Sequence, residues 1–254
     1  MIQRTPTPHR AALCAVLIGL APVVLQAAHP PATLVLPAGA RVGVVNLLDP
    51  EVTHFHESRQ IENSFLKTYT VSWPVSAMLL ASVKDRLSQL GLAAVPLAAS
   101  DALRRARENC FLDAALAKGL PKECGPLYAQ FAAGQALSAI IVLGPGRNDS
   151  AHAGSTRHRD LPEYLRGWCF VTGGPEPLPV LLDMAELLLI GVSGSHTQLI
   201  ARAWGGDGKS WDGYHAPPDL KAFSEAQLDQ LQPLYAAMLK QQADSALLPL
   251  QVAH

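Results

Sequence analysis

The chain has 254 residues, 49% hydrophobic and 16% charged, enough apolar material to bury a core as one domain or two small ones. Its 20 Lys+Arg against 21 Asp+Glu leave a formal net charge of −1. No basic run stands ready to neutralise phosphates, which excludes nucleic acid as the expected partner.

Residues 1–28 have the order of a secretory signal peptide. Arg4, His9 and Arg10 make a positive start without an acid, residues 11–25 are almost uninterruptedly apolar, and Gln26-Ala27-Ala28 offers small residues for cleavage. Leu25 or Gln26 falls where cleavage favours a small residue, so an uncleaved anchor is the rival reading. The apolar stretch is short against the ~20 residues of a span, and Pro22 interrupts it, which favours cleavage. Cys14 lies inside this run rather than at its end, against lipidation there. No second hydrophobic span follows, so no transmembrane segment is expected beyond the signal. The expected location is periplasmic or secreted.

Beyond the signal, the "RVGVVNLL" run (41–48), β-branched and bounded by Gly39 and Pro50, reads as a buried strand. A polar segment, 49–72, follows as a loop. Pro74 suits the first turn of a helix whose face uses Leu80, Val83, Leu87 and Leu90, with Gly91 as the stop. "LAAVPL" (92–97) is a second strand. Ser100 caps a helix over 101 to 118, and a shorter helix covers 127–135. "SAIIVLG" (138–144) is a third strand, apolar without alternation, as when both sheet faces are covered. Residues 145–179 read as a long irregular loop. Residues 178–194 and 197–204 form an antiparallel hairpin turned at Ser193-Gly194-Ser195-His196. A capping box at Ser224-Glu225-Ala226-Gln227 starts a last helix with Leu228, Leu231, Tyr235 and Met238 inward and a kink at Pro233.

This order predicts an α/β fold at the α+β border: a mixed sheet of about five strands flanked by helices, closed by a C-terminal hairpin and final helix. Residues 29–254 form one domain. Three cysteines belong to it, Cys110, Cys124 and Cys169. An oxidising compartment favours a Cys110–Cys124 disulfide, the pair closest in sequence; the alternative is three small buried hydrophobes.

The chemistry-bearing segment is "THFHE" (53–57). Placed just past the end of the first strand, it lies where α/β sheets bind ligands, outside the carboxyl ends of parallel strands. In a strand His54 and His56 would stand about 6.6 Å apart on one face. The third strand opens into a loop holding His152 and His158. If the two strands are neighbours, His54, His56, Glu57, His152 and His158 could converge as ligands for a divalent metal such as zinc; the rival reading is a plain polar loop that happens to carry imidazoles. "GVSG" (191–194) lacks the second spacer of a nucleophile elbow, and "GPGR" (144–147) lacks the Lys-Ser/Thr of a phosphate loop.

The exported "RVGVVNLL" strand, the helix ending in "LSQLGLAAVPL", the "GQALSAIIVLG" run and the "AELLLIGVSGSHTQLIARAW" hairpin resemble the envelope α/β domains of the curli-secretion lipoprotein, the penicillin-binding-protein activator lipoproteins and the N-terminal domain of TolB. The resemblance implies a non-enzymatic, periplasmic or outer-membrane-associated role in assembly, with an envelope protein as partner. This chain departs from the lipoproteins in lacking a lipidated cysteine. The competing expectation is a metal-binding protein, or a metal-dependent hydrolase, built on the histidine segment.

Overall fold

The computed structural model describes residues 33–112, 119–146, 165–173, 178–205 and 208–253. The elements in order are β1 (Leu34–Leu36), β2 (Arg41–Asn46), β3 (Glu51–Glu57), a 3-10 turn (Ile61–Asn63), β4 (Phe65–Thr70), α1 (Val75–Gln89), β5 (Ala93–Leu97), α2 (Asp101–Leu112), α3 (Cys124–Ala133), β6 (Ala139–Pro145), β7 (Gly167–Gly173), β8 (Val180–Ser193), β9 (His196–Trp204), β10 (Lys209–Ser210), α4 (Glu225–Asp229), α5 (Gln232–Ala246) and β11 (Leu250–Val252). No described helix is long and apolar enough to cross a membrane.

The α/β class and the mixed sheet agree with the sequence, but the sheet has nine strands rather than five. The expected loop 49–72 is the β3–β4 hairpin, and the expected loop 145–179 contains β7. Residues 147–164 and 174–177 of that loop lie outside the described residues. The last helix is two helices, not one kinked helix. Pro233 falls in the first turn of α5, where its missing N–H leaves no hydrogen bond unmade.

β8 organises the sheet because it is 14 residues long. On one edge β9 pairs with it from Glu186↔Trp204 onward, and β10 continues the same register at Leu181↔Lys209. On the other edge β6 takes β8 residues 185–191 and β7 takes residues 180–184. β6 and β7 therefore lie end to end. β2 is parallel to β6 and β3 is parallel to β7. Joined by residues 47–50, β2 and β3 form a second end-to-end line. β5 lies beside β2, parallel, and β4 beside β3, antiparallel. A seam thus crosses both lines, and only β8 runs through it unbroken on that side.

Strand alternation sends neighbouring side chains to opposite faces. On one face Val42, Val44, Ile141, Leu187 and Leu189 pack with Leu79, Val83 and Leu87 of α1 and Tyr235, Met238 and Leu239 of α5. On the other, Val45, Ile140, Val142, Leu188 and Ile190 pack with Leu103 and Phe111 of α2 and Tyr128 and Ala132 of α3. Apolar runs without alternation are the consequence of this two-sided cover. Cys110 and Cys124 stand at disulfide distance, their Cα atoms 5.7 Å apart, tying α2 to α3. Cys169 is a buried free thiol that burial pushes up to about 12, an unreactive state. β1 and β11 pair in parallel as a separate two-stranded sheet.

At the carboxyl end of β6 the Phe111 ring lies directly on Gly144, where an added Cβ would come 2.4 Å from ring carbon Cζ. Gly144→Ala should therefore cost about 1–3 kcal/mol in denaturant unfolding. Gly134→Ala, where the nearest atoms are at 3.8 Å, should change stability by less than about 1 kcal/mol. Equal effects at the two positions would contradict this packing.

Candidate functional site

Two polar constellations flank the seam on opposite sheet faces. The first is the histidine segment, which the structure places within β3 rather than in a loop past a strand end. Pro50 closes the run before β3 but does not stop the sheet, since the line of β2 resumes one residue later. His54 and His56 are alternate residues on one face, ring centroids 6.3 Å apart, as two strand residues should be. His54 has no exposed surface. Its ring stacks on Phe170 at 4.5 Å and meets Phe65 and Phe223 edge-on at 5.2 and 5.1 Å.

Both histidines hydrogen-bond one buried hydroxyl: Thr172 Oγ1 lies 2.7 Å from His54 Nε2 and 2.9 Å from His56 Nδ1. A hydroxyl has a single hydrogen, so at most one ring can accept from it and at least one donates to it. A ring that accepts there must be neutral. Burial, then the charge of His56, holds His54 at about 3, while the Leu220 backbone opposes the shift. Burial also lowers His56. The trio can relay a proton inward from half-exposed His56.

Glu57 is an odd-numbered strand residue and projects to the face opposite the two histidines. His152 and His158 lie outside the described residues. Among the described residues no group of three or more His, Cys, Asp or Glu is placed to hold a metal.

The second constellation is a crevice of about 280 Å³ in the seam, on the other face. It sits outside the carboxyl ends of β2 and β6, the place the strand order marks for ligands. Asn46 sets the turn that leads into it. The Asn46 side chain accepts the Leu48 N–H at 3.0 Å and donates to the Leu48 carbonyl at 3.2 Å, turning the chain out of β2. Asp49 is thereby presented to Arg107 of α2, an ion pair at 2.6 Å. Arg107 also donates to the Leu47 carbonyl at 3.2 Å. Its hydrogen bond holds the Asp49 carboxyl below the usual carboxylate range, with Arg104 assisting through its charge. Glu51, Thr53, Glu108 and Arg166 complete the polar rim.

Sequence reasoning overlooked Arg107, although a signal exists. Leu103, Arg107 and Phe111 are spaced one helical turn apart, and both flanking residues are buried. A charge in the middle of a buried stripe needs a partner, and Asp49 supplies it.

Asp183, also overlooked, is a buried carboxyl on β8 opposite Trp168. One oxygen accepts the Ala185 N–H at 3.0 Å; the other has no hydrogen-bond partner among the described residues. Burial pushes this carboxyl up to about 7, against the opposing pull of the Ala185 N–H and the Trp168 indole. The backbone of Gly205 presses on it: an added Cβ would fall 2.3 Å from the carboxyl carbon.

His54 and Asp183 give opposite pH dependence. Between the unfolded value 6.5 and the folded value of about 3, unfolded His54 binds a proton that the folded ring does not, so its contribution falls on acidification. Between 3.8 and about 7, folded Asp183 binds a proton that the unfolded side chain does not, so its contribution rises on acidification. Over the shared window, pH 4 to 6.5, the slopes of about 1.4 kcal/mol per unit largely cancel, with His56 adding to the His54 side. Denaturant unfolding at several pH values should show Asp183→Asn losing stability steeply on acidification and His54→Phe gaining it. Parallel profiles for both variants and the parent chain would contradict these assignments.

No family model and no curated protein matches the chain. Among solved structures it is similar to the hypothetical protein CT253 from Chlamydia trachomatis, with a TM-score of 0.38 and 10% identity, covering 83% of this chain and 94% of that one. A likeness at that level carries no argument about function.

Proposed function

We propose that the chain is an exported, non-catalytic binding or assembly module of the bacterial cell envelope, and that the seam crevice is where it grips its protein partner. The crevice carries this reading. At about 280 Å³ it falls just under the ~300–1,000 Å³ of small-molecule pockets, and its lining sets the charges of Asp49, Glu51, Arg107 and Glu108 beside apolar Leu47, Leu48, Leu66 and Leu165. A notch of that size and polarity suits one or two side chains protruding from a partner. The Asp49–Arg107 pair holds both charges in place beforehand, so recognition needs little ordering.

Three observations support the export part of the reading. Residues 1–28 follow the order of a signal peptide, the Cys110 and Cys124 sulfurs stand at bonding distance, and the element order resembles that of envelope α/β domains. Inside the cytosol that cysteine pair would be held reduced.

Fractionation and thiol labelling test export: the chain should leave the cytosol, and Cys110 and Cys124 should resist alkylation until reduced. A photo-crosslinking residue replacing Thr53 tests the site. It should trap a defined envelope protein, and Arg107→Ala should reduce that product about tenfold by removing one partner of a charge pair. A reduced cytosolic chain would sink the export reading. Crosslinking unaffected by Arg107→Ala would sink the crevice.

A further inference from the structure

The edges of this sheet differ in one respect. β5 carries Pro96, which has no N–H to offer, and β9 carries a register irregularity opposite Leu189 and Ile190. Both are devices that discourage edge-to-edge pairing. β4, at the far edge, has neither: its sequence FLKTYT is regular, and four of its six residues are exposed. Lys67 is the one charge that could guard it. That side chain is folded onto its own sheet face instead, its ammonium donating to the Lys221 carbonyl and lying 4.9 Å from the centre of the Tyr69 ring.

The backbone of β4 shows which groups are left open. Val71 N–H bonds the Pro50 carbonyl at 2.8 Å, so in this antiparallel ladder Tyr69, Lys67 and Phe65 also turn their amides toward β3. The alternate residues Leu66, Thr68 and Thr70 point theirs outward, and no described strand pairs with them. These open positions are symmetric about Thr68. An identical strand laid antiparallel would match Leu66 with Thr70, Thr68 with Thr68 and Thr70 with Leu66, every match a hydrogen-bonded pair, about six bonds in all.

Charge agrees with the same symmetry. At the Phe65 end of β4, Lys67 is joined by Lys221, whose ammonium lies 4.9 Å from the Phe65 ring centre. At the other end Glu225 accepts a hydrogen bond from Ser72 at 3.3 Å, and Asp229 accepts one from Trp73 at 3.1 Å. An open groove of about 590 Å³ beside this end, between residues 68–72 and Phe223, Glu225 and Leu228, leaves room for the neighbour's side chains. A twofold axis at Thr68 reverses the second copy, so the basic end of each faces the acidic end of the other.

We infer that the occupant of the β4 edge is a second copy of this chain, paired antiparallel through β4 about a twofold axis at Thr68. The two nine-stranded sheets then form one continuous sheet. Because the axis relating antiparallel strands stands perpendicular to the sheet, both seam crevices open on the same face. Leu66 and Thr68 line the crevice of each copy, so the two lie on either side of the axis and form a bivalent surface.

Sedimentation velocity of the full chain over about a hundredfold concentration range should show a monomer–dimer equilibrium. Thr68→Pro removes an outward amide that the β3–β4 ladder does not use. It should weaken the dimer at least tenfold while leaving circular dichroism and the unfolding midpoint of the monomer close to the parent's. Lys221→Glu should weaken it as well, and adding Glu225→Lys should restore it. Thr68→Cys should link two copies under mild oxidation, because hydrogen-bonded partners hold their Cα atoms about 5.5 Å apart, within disulfide reach. Thr53→Cys, one strand further in, should not. A monomer at every concentration, or a dimer indifferent to Thr68→Pro, overturns the inference and leaves the edge to another occupant or to none.

Discussion

The structure depends on one strand being longer than its neighbours. β8 runs for 14 residues and pairs along one edge first with β7 and then with β6. Two half-sheets, each with its own direction of entry, are thereby held in one register. The cost of such a join is a row of strand ends in the middle of a sheet, where backbone groups lose their ladder partners. Local side-chain bonds cover that loss: Asn46 closes the turn after β2, and Arg107 takes the Leu47 carbonyl. The crevice follows from this geometry. It is what remains where two lines of strands stop and restart.

Strand alternation divides the polar groups near the seam between two faces. Even positions of β3 send His54 and His56 into an aromatic enclosure, while odd positions send Glu51 and Thr53 to the crevice rim. On the enclosed face, polar groups act structurally: a shared Thr172 hydroxyl bonds one nitrogen of each imidazole, and Gln242 of α5 bonds the Ala185 and Ala203 carbonyls at 2.9 and 2.8 Å. On the open face, charges meet each other and solvent. The histidine segment, the most conspicuous chemistry in the sequence, therefore belongs to the interior, and the less conspicuous Asp49 and Arg107 belong to the surface a partner can reach.

What could be read in the sequence follows from how each element is stabilised. β2, β6 and β8 are buried on both sides and announce themselves as apolar runs, that of β8 interrupted only by Asp183 and Glu186. Leu228, Leu231, Tyr235 and Met238 were legible as one buried face because helical spacing repeats over several turns. Of the expected α1 face Val83 and Leu87 are buried, while Met78 and Leu79 take the inward place expected of Leu80, which with Leu90 is only partly buried. β3 was hidden because its inward positions are Val52, His54 and His56, and two imidazoles do not register as a hydrophobic alternation. β1 and β11 are three residues each and pair across nearly the whole chain, which no local pattern encodes. The sequence placed the histidine segment past the carboxyl end of β2, where the structure has instead the crevice, lined among the described residues by none of those expected. Its residues were not legible, because Arg107 meets Asp49 only once α2 has packed against the end of β2.

Native-state hydrogen exchange along β8 examines the account at its root. If this strand joins both half-sheets into one cooperative body, the amides of residues 180–184 and 185–191 should exchange with a common free energy of opening, close to that of global unfolding. Two distinct values, with the β7 side opening while the β6 side stays closed, would mean that the seam is a boundary between separate units and that the crevice has no rigid frame.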